Sequence, residues 1–329
     1  MAYRIKPTES IAKSLPRITL EQISLASRVL TQGPDANVAV HEARKSLKRV
    51  RALLSLTRPM LGEKLYKREN RRYRDIARGL AGARDRFVLG ETLDKLERHY
   101  GTSYGDGLIG RARKALVGDA RDGAVSPEMI KRAVGALGLA NANWSSIRFR
   151  RISIRELLQG LEASYRSARQ NLKLARETDV DHAFHELRKD VQQHWRHMQL
   201  LSRAWPELID VRIASARDIS LLLGDDHDLY VLLQHLEAGA EVALSDEDRR
   251  ALRRLCRRRQ QELRRSAVPL AQRLFADRPS AFVHGIEASW KAAADLVRVS
   301  ASRGRRQEGP VLLARSGSVV PFVPRRSDE

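Results

Sequence analysis

His41-Glu42-Ala43-Arg44-Lys45-Ser46-Leu47-Lys48-Arg49-Val50-Arg51 reads as a helix divided lengthwise into a charged side and an apolar side. At about 100° per residue, His41, Arg44, Lys45, Lys48 and Arg51 share one broad face. Val40, Ala43, Leu47, Val50 and Leu54 occupy the other, a good buried stripe. Like charges one turn apart repel, so crowding them costs stability unless an anion lies against them. The stretch therefore predicts a helix packed through one side that offers a row of cations to a polyanion on the other.

The H-E-x-R-K core of this stretch recurs 144 residues later, in His185-Glu186-Leu187-Arg188-Lys189 and its continuation to Arg196. His185, Arg188, Lys189, Arg196 and Arg203 fall on one face, with Phe184, Leu187, Val191, Met198 and Leu201 across from it. Gln192 and Gln193 stand where the first copy has Lys48 and Arg49. Amides donate hydrogen bonds to phosphate oxygens but bring no charge, so the two copies are expected to contribute unequally.

Outside these stretches the sequence is helix after helix. Helical spacing covers 7–32, 37–60, 63–82, 85–100, 107–121 and 127–139, and then 153–177, 181–204, 206–223, 228–240, 246–275 and 279–297. Breaks fall at glycine- and proline-containing segments, and short alternating runs of strand type are scarce. Two further blocks match between the halves. Arg74-Asp75-Ile76 pairs with Arg217-Asp218-Ile219, and Arg84-Asp85-Arg86-Phe87-Val88 with His227-Asp228-Leu229-Tyr230-Val231. The expectation is an all-α fold of two related halves, about 8–145 and 150–298, sharing one body. Residues 299–329, rich in Gly, Pro, Ser and Arg, are expected to form a flexible basic tail.

The 329 residues carry 61 Lys and Arg against 40 Asp and Glu, a net charge of +21, while 42% hydrophobic residues suffice for a core. Such an excess opposes compaction and points to nucleic acid, inorganic polyphosphate or an acidic membrane surface as partner. The single cysteine, Cys256, excludes an intrachain disulfide framework and is expected to be a packing residue. His182, His185, His194 and His197 cluster in sequence, but His182 and His194 point away from His185 on the helical wheel and neither pair forms H-E-x-x-H, so no metal site is expected. Asp225-Asp226-His227-Asp228 follows Gly224 and is expected to cap a helix that starts there. No phosphate-binding glycine loop, serine elbow or acid/base pair stands out, so no enzyme activity and no cofactor are expected. The arginine run from Arg249 to Arg265 wraps around its helix, too densely for all of it to line one cavity. The opening residues lack an apolar stretch of signal length, and no run approaches the roughly 18 apolar residues of a spanning helix, so the expected location is cytoplasmic.

The ordered set of these motifs resembles the conserved histidine α-helical domain family, CHAD. The likeness rests on His185-Glu186-Leu187-Arg188-Lys189 with Trp195 and Leu200-Leu201, on Tyr165-Arg166-x-x-Arg169 one helix upstream, and on Leu223-Gly224-Asp225-Asp226-His227-Asp228-Leu229-Tyr230-Val231. The His41–Leu54 helix and the Arg84-Asp85 block supply the other repeat, so the similarity spans about residues 8–298. It implies two pseudo-symmetric helical bundles around a basic central channel that binds inorganic polyphosphate, often at polyphosphate granules in bacteria. Carried over by position, the implied ligands are His41, Arg44, Lys45, Lys48, Arg49 and Arg51 in the first half. In the second they are His185, Arg188, Lys189 and Arg196, with Tyr165, Arg166 and Arg169 from the preceding helix. Some relatives carry an upstream strand-rich triphosphate-tunnel enzyme domain with an E-x-E-x-K motif, which this sequence lacks.

Arg and Lys make charge-assisted, often forked bonds to phosphate oxygens, and a phosphate held beside His41 and His185 would raise their pKa. The rival expectation is a nucleic-acid-binding protein that contacts only backbone phosphates. Aromatics form 5% of the chain and do not interleave with the basic stripe, which disfavours base stacking. A third is an enzyme or accessory subunit of polyphosphate turnover.

Overall fold

A computed structural model describes residues 3–80, 84–101, 107–118, 125–147, 149, 152–238 and 244–307. Among them the fold is all-α. The helices are α1 (Ile11–Gln32), α2 (Ala36–Leu56), α3 (Arg58–Leu61), α4 (Glu63–Gly79), α5 (Arg84–Tyr100), α6 (Leu108–Leu116) and α7 (Pro127–Ser146). They continue with α8 (Ile154–Thr178), α9 (Asp181–Leu201), α10 (Pro206–Ala238), α11 (Asp246–Leu274) and α12 (Pro279–Gln307). None is long and apolar enough to cross a membrane.

Local chemistry sets the boundaries of the helices that matter most. The Asp35 carboxylate accepts the N–H groups of Asn37 and Val38 at 2.8 and 2.9 Å and starts α2. Ser153 and Glu156 form a reciprocal capping box at the start of α8. Asp179, in the left-handed conformation at φ 50°, ends α8 and turns the chain directly into α9.

The two signature helices bury the faces that the sequence assigns to the core. Val40, Ala43, Leu47, Val50 and Leu54 of α2 are buried, as are Phe184, Leu187, Val191, Met198 and Leu201 of α9. α2 packs against α1 and α4 and against α8 and α9. Gly160 makes the closest approach there, because its missing side chain lets α8 lie against the backbone of Leu56. His197 Nε2 donates to the Ala52 carbonyl at 2.9 Å, and its Nδ1 meets Ser164 Oγ at 3.2 Å, tying α9 to α2 and α8. The extended start of the chain adds a strap. The Ile5 N–H donates to Leu200 O of α9 at 2.9 Å, and the Tyr3 hydroxyl to Arg49 O of α2 at 2.8 Å.

One apolar core therefore runs through α1, α2, α4, α7, α8, α9 and α12 with parts of α10 and α11, and a second joins α5 and α6 to other parts of α10 and α11. Cys256 is fully buried in the second core, and burial pushes its thiol up to about 12. That environment makes it an inert packing residue.

Two expectations change. The segments expected as separate helices at 206–223 and 228–240 form the single helix α10, so Asp225-Asp226-His227-Asp228 lies mid-helix and caps nothing. Gly224 costs helix stability, but packing of α9 and α11 along α10 outweighs a propensity term of about 1 kcal/mol. Residues 299–307, expected as tail, continue α12; the rest of the expected tail lies outside the described residues. As the crowding of the run implies, several arginines of α11 are held in structural bonds instead of facing a cavity. Arg264, 7% exposed, donates Nε to Asp226 at 2.8 Å, bonds Asp181 and the Asp179 carbonyl, and lies over the Phe184 ring. Arg257 reaches Asp181 at 2.8 Å, and Arg258 and Arg259 share Glu262.

Candidate functional site

The cationic faces of α2 and α9 line one cavity of about 560 Å³. α2 contributes Arg44, Lys48 and Arg51, spaced four and three residues apart on the face opposite its buried stripe. α9 contributes Glu186, Arg188, Lys189, Asp190, Gln192, Gln193 and Arg196. Tyr66 and Asn70 of α4, Val88 of α5, and His227, Asp228 and Val231 of α10 complete the wall. Six permanent cations thus face three carboxylates in one concave space. This is a standing positive potential that an anion entering the cavity would neutralise.

Arg51, Arg44 and Arg196 make contacts with neutral groups. Arg51 donates Nε to Asn70 Oδ1 at 2.9 Å, and burial lowers its pKa. Arg44 donates to the Ala77 carbonyl at the end of α4. Arg196, 9% exposed, stacks its guanidinium over Trp195 at 5.3 Å, and burial pushes it down to about 10. It remains charged at neutral pH. A guanidinium held by amides and carbonyls keeps its charge for a ligand, whereas a carboxylate partner would spend it.

The carboxylates are tempered in turn. Lys189 pairs with Glu186 at 2.6 Å. Asp190 accepts from Asn171 Nδ2 at 2.7 Å and from Ser167, yet burial still pushes its carboxyl up to about 6. Asp228 lies 3.8 Å from Lys95 Nζ, and Lys95 bonds Asp225 at 2.8 Å.

At one side of the cavity two imidazoles meet. His185 Nδ1 and His227 Nδ1 are 3.1 Å apart, with ring centroids 4.5 Å apart. One nitrogen must donate and the other accept. Burial, reinforced by Arg188, pushes His227 down to about 3, and burial with Lys189 lowers His185. Both rings are therefore neutral at pH 7 in the unliganded protein.

Of the residues expected at the site, Arg44, Lys48, Arg51, Arg188, Lys189 and Arg196 line this cavity, and His185 reaches it through His227. His41 is exposed at the start of α2. Lys45 turns outward to Glu42 at 2.8 Å, and Arg49 turns to Gln22 at 3.3 Å. The three residues of α8 lie elsewhere. Tyr165 is fully buried, stacked on Phe282 at 4.4 Å, with its hydroxyl donating to Leu274 O. Arg169 gathers the carbonyls of Phe275, Ala276 and Asp277 at the end of α11. Arg166 pairs with Glu162 on the surface at 2.6 Å. Tyr165 and Arg169 therefore serve the packing of the bundle, while α8 reaches the cavity wall through Ser167 and Asn171, which bond Asp190.

Tyr66, Asn70 and Asp190 were not anticipated, because Tyr66 and Asn70 lie outside the repeated blocks and Asp190, inside one, is not a cation. His227 and Asp228 were visible as part of a recurring block, but an expected helix start hid their role as cavity wall.

An all-α protein whose signature helices converge on a cationic cavity is the class that fold and site define. A family model described as the CHAD domain matches residues 18–237, and the chain belongs to that family. The match takes in α2, α9 and nearly all of α10, hence every helix that lines the cavity. No curated protein matches the sequence.

Proposed function

We propose that this protein binds inorganic polyphosphate in the α2–α9 cavity, without chemical turnover, and that this binding targets it to polyphosphate granules. The observation that carries the reading is the convergence of Arg44, Lys48 and Arg51 with Arg188, Lys189 and Arg196 on one cavity. Forked and point-charge donors there suit oxygens on successive phosphates of one chain, and linked weak contacts reinforce each other. A thin chain without sugars or bases suits a concave site of this size. Nucleic acid is the second reading, favoured by the overall charge of +21, but among the described lining residues Tyr66 is the one Phe, Tyr or Trp side chain on which a base could stack.

The test is competition between long-chain polyphosphate and duplex DNA at fixed salt, with the chain and with Arg44→Ala/Arg188→Ala. The expected result is polyphosphate binding at least tenfold tighter than DNA, lost in the double variant. Lys67→Ala/Lys173→Ala, an equal charge loss at exposed positions, is expected to change affinity less than threefold. Equal losses in the two variants would mean diffuse charge attraction and refute a localised site. Release of phosphate from the polymer would refute the non-catalytic part.

A further inference from the structure

The two matched blocks differ at one position in a way the cavity makes consequential. Arg84 of the first block stands opposite His227 of the second, a permanent cation against a titratable ring. His227 lines the cavity and is hydrogen-bonded to His185, the histidine of the second signature helix. The helix places it firmly. Asp226, its neighbour, is 4% exposed and bonded by Arg264, which also holds the first turn of α9 through Asp181. The clamp thus fixes both helices that bring the imidazoles together.

We infer that His227 is an anion ligand that acts only when protonated, so that binding of polyphosphate in this half of the cavity draws in a proton from solvent. This rests on the proposed polyphosphate function and adds its regulation. The groups facing His227 are Arg188, Lys189 and His185 from α9 and Lys48 from α2, with Glu186 and Asp190 farther along α9. On its own helix stand Asp226 and Asp228, bound to Arg264 of α11 and Lys95 of α5, with the Tyr230 ring stacked 6.1 Å away. The full charges that act most on the ring are the cations Arg188, Lys189 and Lys48, which oppose protonation. A bound phosphate chain reverses that field and offers the ring an acceptor. A single added proton leaves the Nδ1–Nδ1 hydrogen bond in place and makes both nitrogens of His227 donors, one to His185 and one to the ligand. Proton and anion therefore bind together, and each favours the other.

The experiment is calorimetric titration of the full chain with long-chain polyphosphate from pH 5.5 to 8 at constant ionic strength. Two buffers of different ionisation enthalpy are used, so that proton uptake is counted. Alongside it, the His227 ring resonance is followed by NMR during addition of sulfate, an anion that does not titrate in this range. Between the free and bound pKa values, affinity falls tenfold per pH unit for each linked proton. The expected result is a falling affinity with rising pH and uptake of up to one proton per site lost in both His227→Arg and His227→Gln. His227→Arg binds more tightly than the unsubstituted chain at pH 8, and His227→Gln more weakly at pH 5.5. Asp190, which also titrates near pH 6, stays in both variants, so its share of the slope remains. In the unsubstituted chain the His227 resonance moves to its protonated position with sulfate at pH 6.5. An unchanged slope and proton count in His227→Arg, or a ring that stays neutral with anion bound, would overturn the inference. A chain that binds no polyphosphate at any pH refutes the proposed function, while the ring's response to sulfate still decides this one.

Discussion

Gly160→Ala should be among the most damaging small changes available to this protein, although the same substitution normally strengthens a helix. In an open helical position it gains about 0.8–1 kcal/mol, because alanine loses less backbone entropy. At Gly160 an added Cβ would stand 1.9 Å from Leu56 O and 2.7 Å from Leu56 C, both backbone atoms that cannot rotate aside. Ordinary contact begins at 3.4 Å, so α8 must retreat roughly 1.5 Å from the end of α2. Leu157, Leu158 and Leu161 sit fully buried on the same stretch of α8 and would lose close packing together. A gap over that much core costs about as much as a large-to-small core substitution, so the net destabilisation is about 2–4 kcal/mol. Equilibrium urea unfolding measures it directly. Gly138→Ala, at an exposed position of α7 with nothing within 4 Å of the added methyl, is the matched control and should gain about 0.5–1 kcal/mol. If both variants gained stability together, α8 would not lie against Leu56 as described.

Two further predictions concern buried histidines. His194 is buried among Tyr165, Phe275 and Phe282 with no hydrogen-bond partner for either ring nitrogen, and burial holds its pKa well below the usual imidazole value. His194→Leu removes that unpaired polarity at similar volume and should raise stability at pH 7 by about 1 kcal/mol in urea unfolding. For His197, burial pushes the pKa from 6.5 to about 4, so its neutral form is the one the fold holds. Its contribution is complete above pH 6.5 and is lost as pH falls toward 4, on the order of 2 kcal/mol by pH 5. His197→Gln, which keeps a donor for Ala52 O, should lose less stability between pH 7 and pH 5 than the unsubstituted chain; an equal loss would place the acid sensitivity elsewhere.

The helices α2 and α9 were legible because their cations and apolar residues repeat with the helical period, and burial enforces that period. Six of the cavity's cations followed from it. What the period does not encode is who sits across a gap. Arg264 looks like any residue of a basic surface run, since Asp226, Asp181 and Asp179 lie 38 to 85 positions away. Tyr165 and Arg169 were assigned to the ligand by likeness of motif, yet the neighbours that claim them, Phe282 and the end of α11, are more than a hundred residues distant. The continuity of α10 was hidden because Gly224 and three aspartates resemble a stop signal. Contacts from α9 and α11 overrule that local preference.

The strap from Ile5 to Leu200 sets a timetable for the molecule's birth. At about 5–20 residues per second, the ribosome takes roughly 10–40 s after making Ile5 to deliver the carbonyl it docks on. Throughout that interval the nascent chain carries an undocked, strongly positive amino-terminal half. Chaperone dependence and capture by cellular polyanions are therefore greatest before the second signature helix emerges.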